Sequence, residues 1–149
     1  MFLDKRLNYK VHVRKKREEL NLRLRKLYWL LGKSSSLNLS NKRLLYLSIL
    51  KPVWTYGIQV WGCTAASNRQ VIQRFQSKAL RTITGAPWFV RNSAIHFDLM
   101  VPSVDETIKS LARSHERRLH SHPNPLAINL LDVTKETRRL KRLKPSDLV

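Results

Sequence analysis

Residues 41–61 constrain the fold more than any other stretch. They carry Leu44, Leu45, Leu47, Ile49, Leu50, Val53, Trp54, Ile58, Val60 and Trp61. Read as a helix, this set covers nearly the whole circumference, and a helix that is apolar all round has to be buried. The stretch is therefore expected to be the central helix of the fold, with everything else packed around it. Ser40 stands where an N-cap belongs, a contribution of about 1 kcal/mol. Pro52 removes one backbone donor and is expected to kink the helix near Leu50 and Lys51.

The flanking segments repeat the helical pattern. Leu20, Leu24, Leu27 and Leu31 fall on one face of a helix over 11–31, with Gly32 as its C-terminal stop. Ser67 and Gln70 have the spacing of a capping box for a helix over 68–84. Its inner face would carry Val71, Phe75, Ala79 or Leu80, and Ile83, and Gly85 and Pro87 would end it. A short helix over 93–99 is broken by Pro102. Ser103 and Glu106 form a second box, opening a helix to about residue 120 with Ile108, Leu111 and Leu119 inward. His122-Pro123-Asn124-Pro125 reads as a turn. Residues 1–9, with Leu3, Leu7 and Tyr9 apolar, read as the end of a strand and a turn, and a lone strand is not stable by itself. The last residues, with Lys135, Arg138, Arg139, Lys141, Arg142 and Lys144, read as a disordered basic tail. The expected fold is mostly α: a small bundle of about four to five helices, with a short remnant strand at the N-terminus. With 42% hydrophobic residues a core can form, and the 4 glycines are too few for the many tight turns of an all-β fold.

Charge narrows the partners. Lys and Arg number 29 against 10 Asp and Glu, a formal net charge of +19. Such an excess repels itself in a compact chain, and a polyanion both relieves the repulsion and releases its own counterions. Nucleic acid is the first expectation and an anionic membrane surface the second. Cys63 is the single cysteine, so no intrachain disulfide forms, a Cys-based zinc cluster is excluded, and a reducing, intracellular setting fits. No run of 18 apolar residues would span a membrane, and Met1-Phe2-Leu3-Asp4-Lys5-Arg6 lacks the apolar region of a signal peptide.

The residues offer no catalytic constellation. His115, His120 and His122 lack the i, i+4 spacing of a helical metal site, and His96 reads as a surface or capping residue. No two Asp are adjacent, whereas two-metal nucleotidyl transfer needs clustered carboxylates. Glu18 and Glu19 read as charge compensation within a basic helix. The glycines stand singly, so no phosphate-binding loop is present, and neither a metal nor a cofactor is expected in this chain. What remains is charge and aromatic surface. Arg14, Lys15, Arg17, Arg23, Arg25, Lys26 and Lys33 line one helix and its exit loop, where they would meet phosphates without reading sequence. Trp54, Tyr56, Trp61 and Trp88 could stack on bases. Trp54 and Trp61 lie in the most apolar segment and read as core, while Trp88 follows Pro87 in a loop.

The run Leu50-Lys51-Pro52-Val53-Trp54-Thr55-Tyr56-Gly57-Ile58-Gln59-Val60-Trp61-Gly62 resembles the segment that follows the palm in reverse transcriptases of jockey-type non-LTR retrotransposons. Colinear pieces agree: Leu3-Asp4-Lys5-Arg6-Leu7, Tyr28-Trp29-Leu30-Leu31-Gly32, residues 74–81, Gly85-Ala86-Pro87-Trp88, and residues 118–127. The resemblance implies a palm-edge remnant at 1–10, thumb-like helices at 11–62, a helical post-thumb region at 63–131 and a basic tail at 132–149. It also implies a piece of a longer RNA-directed DNA polymerase, whose aromatic-x-Asp-Asp turn and Mg²⁺ chemistry belong upstream of Met1. No catalytic residue carries over. The implied partners are an RNA–DNA template–primer duplex and the palm and fingers of the intact enzyme; no small-molecule substrate is implied, and the expected location is the nucleus. The competing reading is a basic helical module for a protein partner or an anionic membrane surface.

Overall fold

Helix α1 (Lys10–Lys26) turns Val13, Leu20 and Leu24 inward. After a break at Leu27, α2 (Tyr28–Leu31) adds Leu31 to the same face. The leucine stripe is thus buried as its 3.6-residue period requires. Gly32 does end α2, but in an extended conformation (φ −67°, ψ 169°) rather than the left-handed one of a C-terminal glycine cap. Its carbonyl accepts a hydrogen bond from Lys42 Nζ at 2.7 Å, so a tertiary contact completes the stop. These elements belong to a computed structural model that describes residues 8–128.

The central apolar stretch is not one helix. It is a column of four short pieces: α3 (Leu39–Leu45), a π-helical turn (Tyr46–Leu50), α4 (Lys51–Thr55) and α5 (Ile58–Trp61). Pro52 explains the first break. Its ring would clash with the carbonyl four residues back in a regular helix, and the wider π turn just before it gives that ring room. The Lys51 N–H accordingly reaches back to the Tyr46 carbonyl. The second break is at Tyr56, which is extended, and Gly57, whose φ of 67° is the left-handed conformation that favours glycine. Tyr46, Leu50, Val53, Trp54, Ile58 and Trp61 are buried. Burial all round the column was expected; instead Leu44 (62% exposed), in α3 ahead of either break, and Val60, after the second, face outward. The N-cap is Asn38 rather than Ser40, its Oδ1 accepting from the Asn41 N–H at 2.8 Å.

Helix α6 (Ala66–Thr84) buries Ile72, Phe75, Gln76, Ala79, Leu80 and Ile83. Val71 is only half-buried. The Ser67–Gln70 capping box does not form: the helix starts earlier, with Ala65 as an N-cap that makes no side-chain bond. Tertiary ties hold this end instead. Arg69 donates to the Thr64 carbonyl and to Asp105 Oδ1, both at 2.7 Å, and Thr64 Oγ1 donates to the Asn8 carbonyl at 2.7 Å. Next come α7 (Asn92–Asp98) and α8 (Val104–His120), and α9 (Pro125–Ile128). The Ser103–Glu106 box is present in full at the start of α8.

The described residues are mostly helical and include no strand. α6 packs against α1, α3, α7 and α8, and α5 packs against α8. One buried cluster joins Val13 and Leu20, Trp54 and Trp61, Phe75 and Leu80, and Ile108, so residues on both sides of position 62 share a core. Each large apolar side chain so buried stabilises the fold by about 1.5–3 kcal/mol. The expected N-terminal strand falls mostly, and the basic tail wholly, outside the described residues.

Candidate nucleic-acid interface

The seven basic residues singled out on α1 and its exit loop do not act as a set. Arg14 and Arg25 are exposed and lie on one stripe of α1 with Lys10, the exposed Glu18 and Asn21, the five standing at i, i+4, i+8, i+11 and i+15. Lys15 and Lys26 are exposed on the neighbouring stripe, and Lys33 is exposed in the loop after α2. Arg23 pairs with Glu19 at 2.9 Å, and Lys16 meets the same carboxylate at 3.2 Å. Partial burial opposes ionisation of Glu19, but the bonds from Lys16 and Arg23 outweigh it and hold the carboxyl below its ordinary value. Glu19 is thus the charge compensation expected of it.

Arg17 points the other way. Its Nη1 donates to the Val71 carbonyl at 3.1 Å, and its guanidinium lies 5.3 Å from the centroid of the Phe75 ring. Burial, then the nearby charge of Arg74, lowers its pKa. Arg17 is a clasp between α1 and α6, with its donors directed at protein.

A property of the sequence explains why several cations are used this way. Between Glu19 and Asp98 there is no Asp or Glu. Buried or half-buried cations in this stretch have no local carboxylate and take backbone carbonyls instead. Lys42 holds Gly32, Arg43 Nε holds Leu99 at 2.6 Å, and Arg81 holds Pro87 and Val90. The cations left on the surface then have nothing acidic beside them along the chain.

Two of these, Arg74 and Lys78, stand on the outer face of α6. A cleft of about 700 Å³ runs along that face, lined by Gln70, Arg74, Ser77, Lys78 and Arg81 and by Trp88 from the loop after the helix. A second cleft, between α1 and α6, is lined by Asn21, Leu24, Arg25, Tyr28, Lys78 and Thr82. Lys78 and Thr82 border both. The exposed α1 stripe and the outer face of α6 therefore adjoin at Lys78 and Thr82, in a surface that is basic except for Glu18 and Asn21 on α1. The α6 half was missed in the sequence reading, although Arg74, Lys78 and Arg81 at i, i+4 and i+7 opposite the apolar face carried the signal.

The aromatic residues divide as their surroundings require. Trp54 and Trp61 are core, and the Trp61 indole N–H donates to the Tyr56 carbonyl at 3.2 Å. The Tyr56 ring is exposed, with Lys16 Nζ 5.9 Å from its centroid. Trp88 is 90% exposed and meets Phe89 edge-on at 6.0 Å. His96, read as a surface or capping residue, is half-buried: its Nδ1 lies 2.8 Å from the Val101 carbonyl and its Nε2 3.2 Å from Gln73 Nε2, tying α7 to α6. Among the described residues no three His, Cys, Asp or Glu side chains converge. None of the described helices is long and apolar enough to cross a membrane.

Relatives of the chain are found among transposon polymerases. The chain is 44% identical, over its full length, to a probable RNA-directed DNA polymerase from the transposon X-element of Drosophila melanogaster. It is 39% identical over 94% of its length to the corresponding protein of the transposon BS from the same species. It is 36% identical over its full length to the RNA-directed DNA polymerase of the mobile element jockey from Drosophila funebris. It spans only 16%, 15% and 17% of these relatives, about one sixth of their length. No family model matches, and no solved structure matches. Over its whole length, then, the chain is homologous to a segment of the RNA-directed DNA polymerases of jockey-type non-LTR retrotransposons.

Proposed function

We propose that this segment, like a thumb behind a polymerase active site, grips the sugar–phosphate backbone of an RNA–DNA template–primer duplex. The observation that carries the reading is the basic surface from Arg14 and Arg25 on α1, interrupted on that stripe by the exposed Glu18, across Lys78, to Arg74 on α6. Arg14 and Arg25 are eleven residues apart on one stripe, so about 16 Å at 1.5 Å per residue. Measured along the axis of a duplex, where each strand carries a phosphate about every 3.4 Å, that length corresponds to roughly five phosphates. Guanidinium and ammonium groups on a rigid helix at this spacing meet phosphates and leave base edges unread. Arg17 leaves the binding set, because it is half-buried, with one N–H on the Val71 carbonyl and its guanidinium against Phe75.

On this reading the chain positions substrate and does not carry out nucleotidyl transfer. The carboxylates and Mg²⁺ of that chemistry belong to other parts of the polymerase, and the site of action is the nucleus. The test is binding of the full chain to a labelled RNA–DNA duplex across a salt series. The expected result is an affinity that falls linearly on a log–log plot and is the same for unrelated sequences. Sequence-selective binding that survives high salt would overturn it, as would tight binding to anionic vesicles with none to nucleic acid.

A further inference from the structure

The loop after α6 is built around one side chain. Arg81, on the last turns of the helix, donates to the carbonyls of Pro87 and Val90 and to Asn92 Oδ1, the last two at 2.7 and 2.8 Å. One guanidinium thereby fixes both ends of the segment 87–92. The product of this fixing is a Trp88 side chain 90% exposed at the mouth of the α6 cleft, braced edge-on by Phe89. With Phe89, itself 67% exposed, Trp88 makes an apolar aromatic patch beside a polar cleft, the kind of surface that marks an interaction site.

We infer that Trp88 makes the α6 end of the basic surface a subsite that takes an unpaired stretch of polynucleotide, sharing Arg74 and Lys78 with the duplex contacts. This rests on the nucleic-acid reading above and goes beyond it, because a duplex cannot use the feature. Paired bases are stacked on one another, and a side chain reaches a base face only where the strand is single. The cleft supplies what a single strand needs. Trp88 offers a stacking face at one end. Arg74 and Lys78, one helical turn apart at about 6 Å, stand along the wall as phosphate contacts. The exposed Gln70 lies beyond them for polar contact with base or sugar. Helix α6 contains no Asp or Glu to repel the strand. Cation and ring together fit a polynucleotide, and the basic lining opposes a basic or neutral peptide.

The experiment compares the full chain with its Trp88→Ala and Trp88→Phe variants, using labelled oligo(U), oligo(dT) and a blunt RNA–DNA duplex of equal length. Trp88 touches little of the fold, so the variants should keep the parent's circular dichroism. Trp88→Ala should weaken single-strand binding about tenfold or more and leave duplex binding unchanged, with Trp88→Phe recovering most of the loss. Indole fluorescence should be quenched by either oligomer in the parent, and less so in Trp88→Phe. Stronger binding of oligo(U) would identify RNA as the source of the strand; stronger binding of oligo(dT) would identify DNA. Unchanged single-strand affinity in Trp88→Ala, or an equal loss on the duplex, would overturn this inference alone. Failure of the parent chain to bind any of the three would overturn the nucleic-acid reading with it.

Discussion

The guanidinium of Arg17 lies over the ring of Phe75, 5.3 Å from its centroid, and joins the first long helix to the second. The same group donates to the Val71 carbonyl at 3.1 Å. A hydrogen bond from a charged donor and a cation–π contact together contribute about 2 kcal/mol. Arg17→Ala is therefore expected to lower unfolding stability by about that amount in a urea titration, whereas Arg14→Ala, on the open face, should stay within about 0.5 kcal/mol. Arg17→Lys should recover only part of the loss, since an ammonium cannot present a planar face to the ring and a donor to the carbonyl at once.

Arg25 and Lys78 border the same cleft from opposite helices. If both meet phosphates, replacing either by Ala should lower the slope of log affinity against log salt by about one. The change should be the same for unrelated duplex sequences. Arg17→Ala should leave the slope where it is, which separates a binding cation from a structural one by a readout that stability does not mimic.

Stability should fall with pH in two steps. Burial, then the charge of Lys16, lowers the pKa of His12 from its ordinary 6.5. Below that value the unfolded chain binds a proton that the folded chain refuses, so the stability present above pH 6.5 is lost as pH falls through the folded value. Glu106 is held below its ordinary 4.5 first by the Ser103 backbone N–H, at 2.7 Å, and then by the Ser103 hydroxyl. Its contribution is present above pH 4.5 and is lost on further acidification through its folded pKa. Urea midpoints between pH 7 and 5 should drop for the parent chain and stay nearly flat for His12→Gln. The lower step should persist in that variant and shrink in Glu106→Gln.

Gly85 ends α6 in the left-handed region, with φ of 62°. A Cβ there would meet the Lys33 side chain at 3.6 Å, an ordinary contact, so space is not the obstacle. The backbone is. Gly85→Ala should cost about 1–2 kcal/mol, and Gly85→Asn less, because Asn tolerates this conformation better. Thermal unfolding of the two variants side by side checks the order.

Where the physics was local, the sequence was enough. The Leu20–Leu24–Leu31 stripe, the inner face of α6 around Phe75 and Leu80, and the Ser103–Glu106 box depend on residues within a few turns of each other, so spacing alone placed them. The net charge of +19 likewise called for a polyanion without reference to any fold. The tertiary structure decided the features that depend on distant residues. Pro52 announced a break in the central stretch, but not that it would take the form of a π turn, nor that Tyr56 and Gly57 would add a second break that turns Val60 outward. The start of α6 is set by ties from Thr64, Arg69 and Asp105, which no local capping rule contains. Above all, composition counts cations without distinguishing them. Lys42, Arg43 and Arg81 are spent on carbonyls that only the folded chain brings near, because no Asp or Glu lies between Glu19 and Asp98 to receive them, and Arg17, although Glu18 and Glu19 follow it, is turned to the Val71 carbonyl. What remains on the surface, Arg14, Arg25, Arg74 and Lys78, could be told from the others only once the helices were packed.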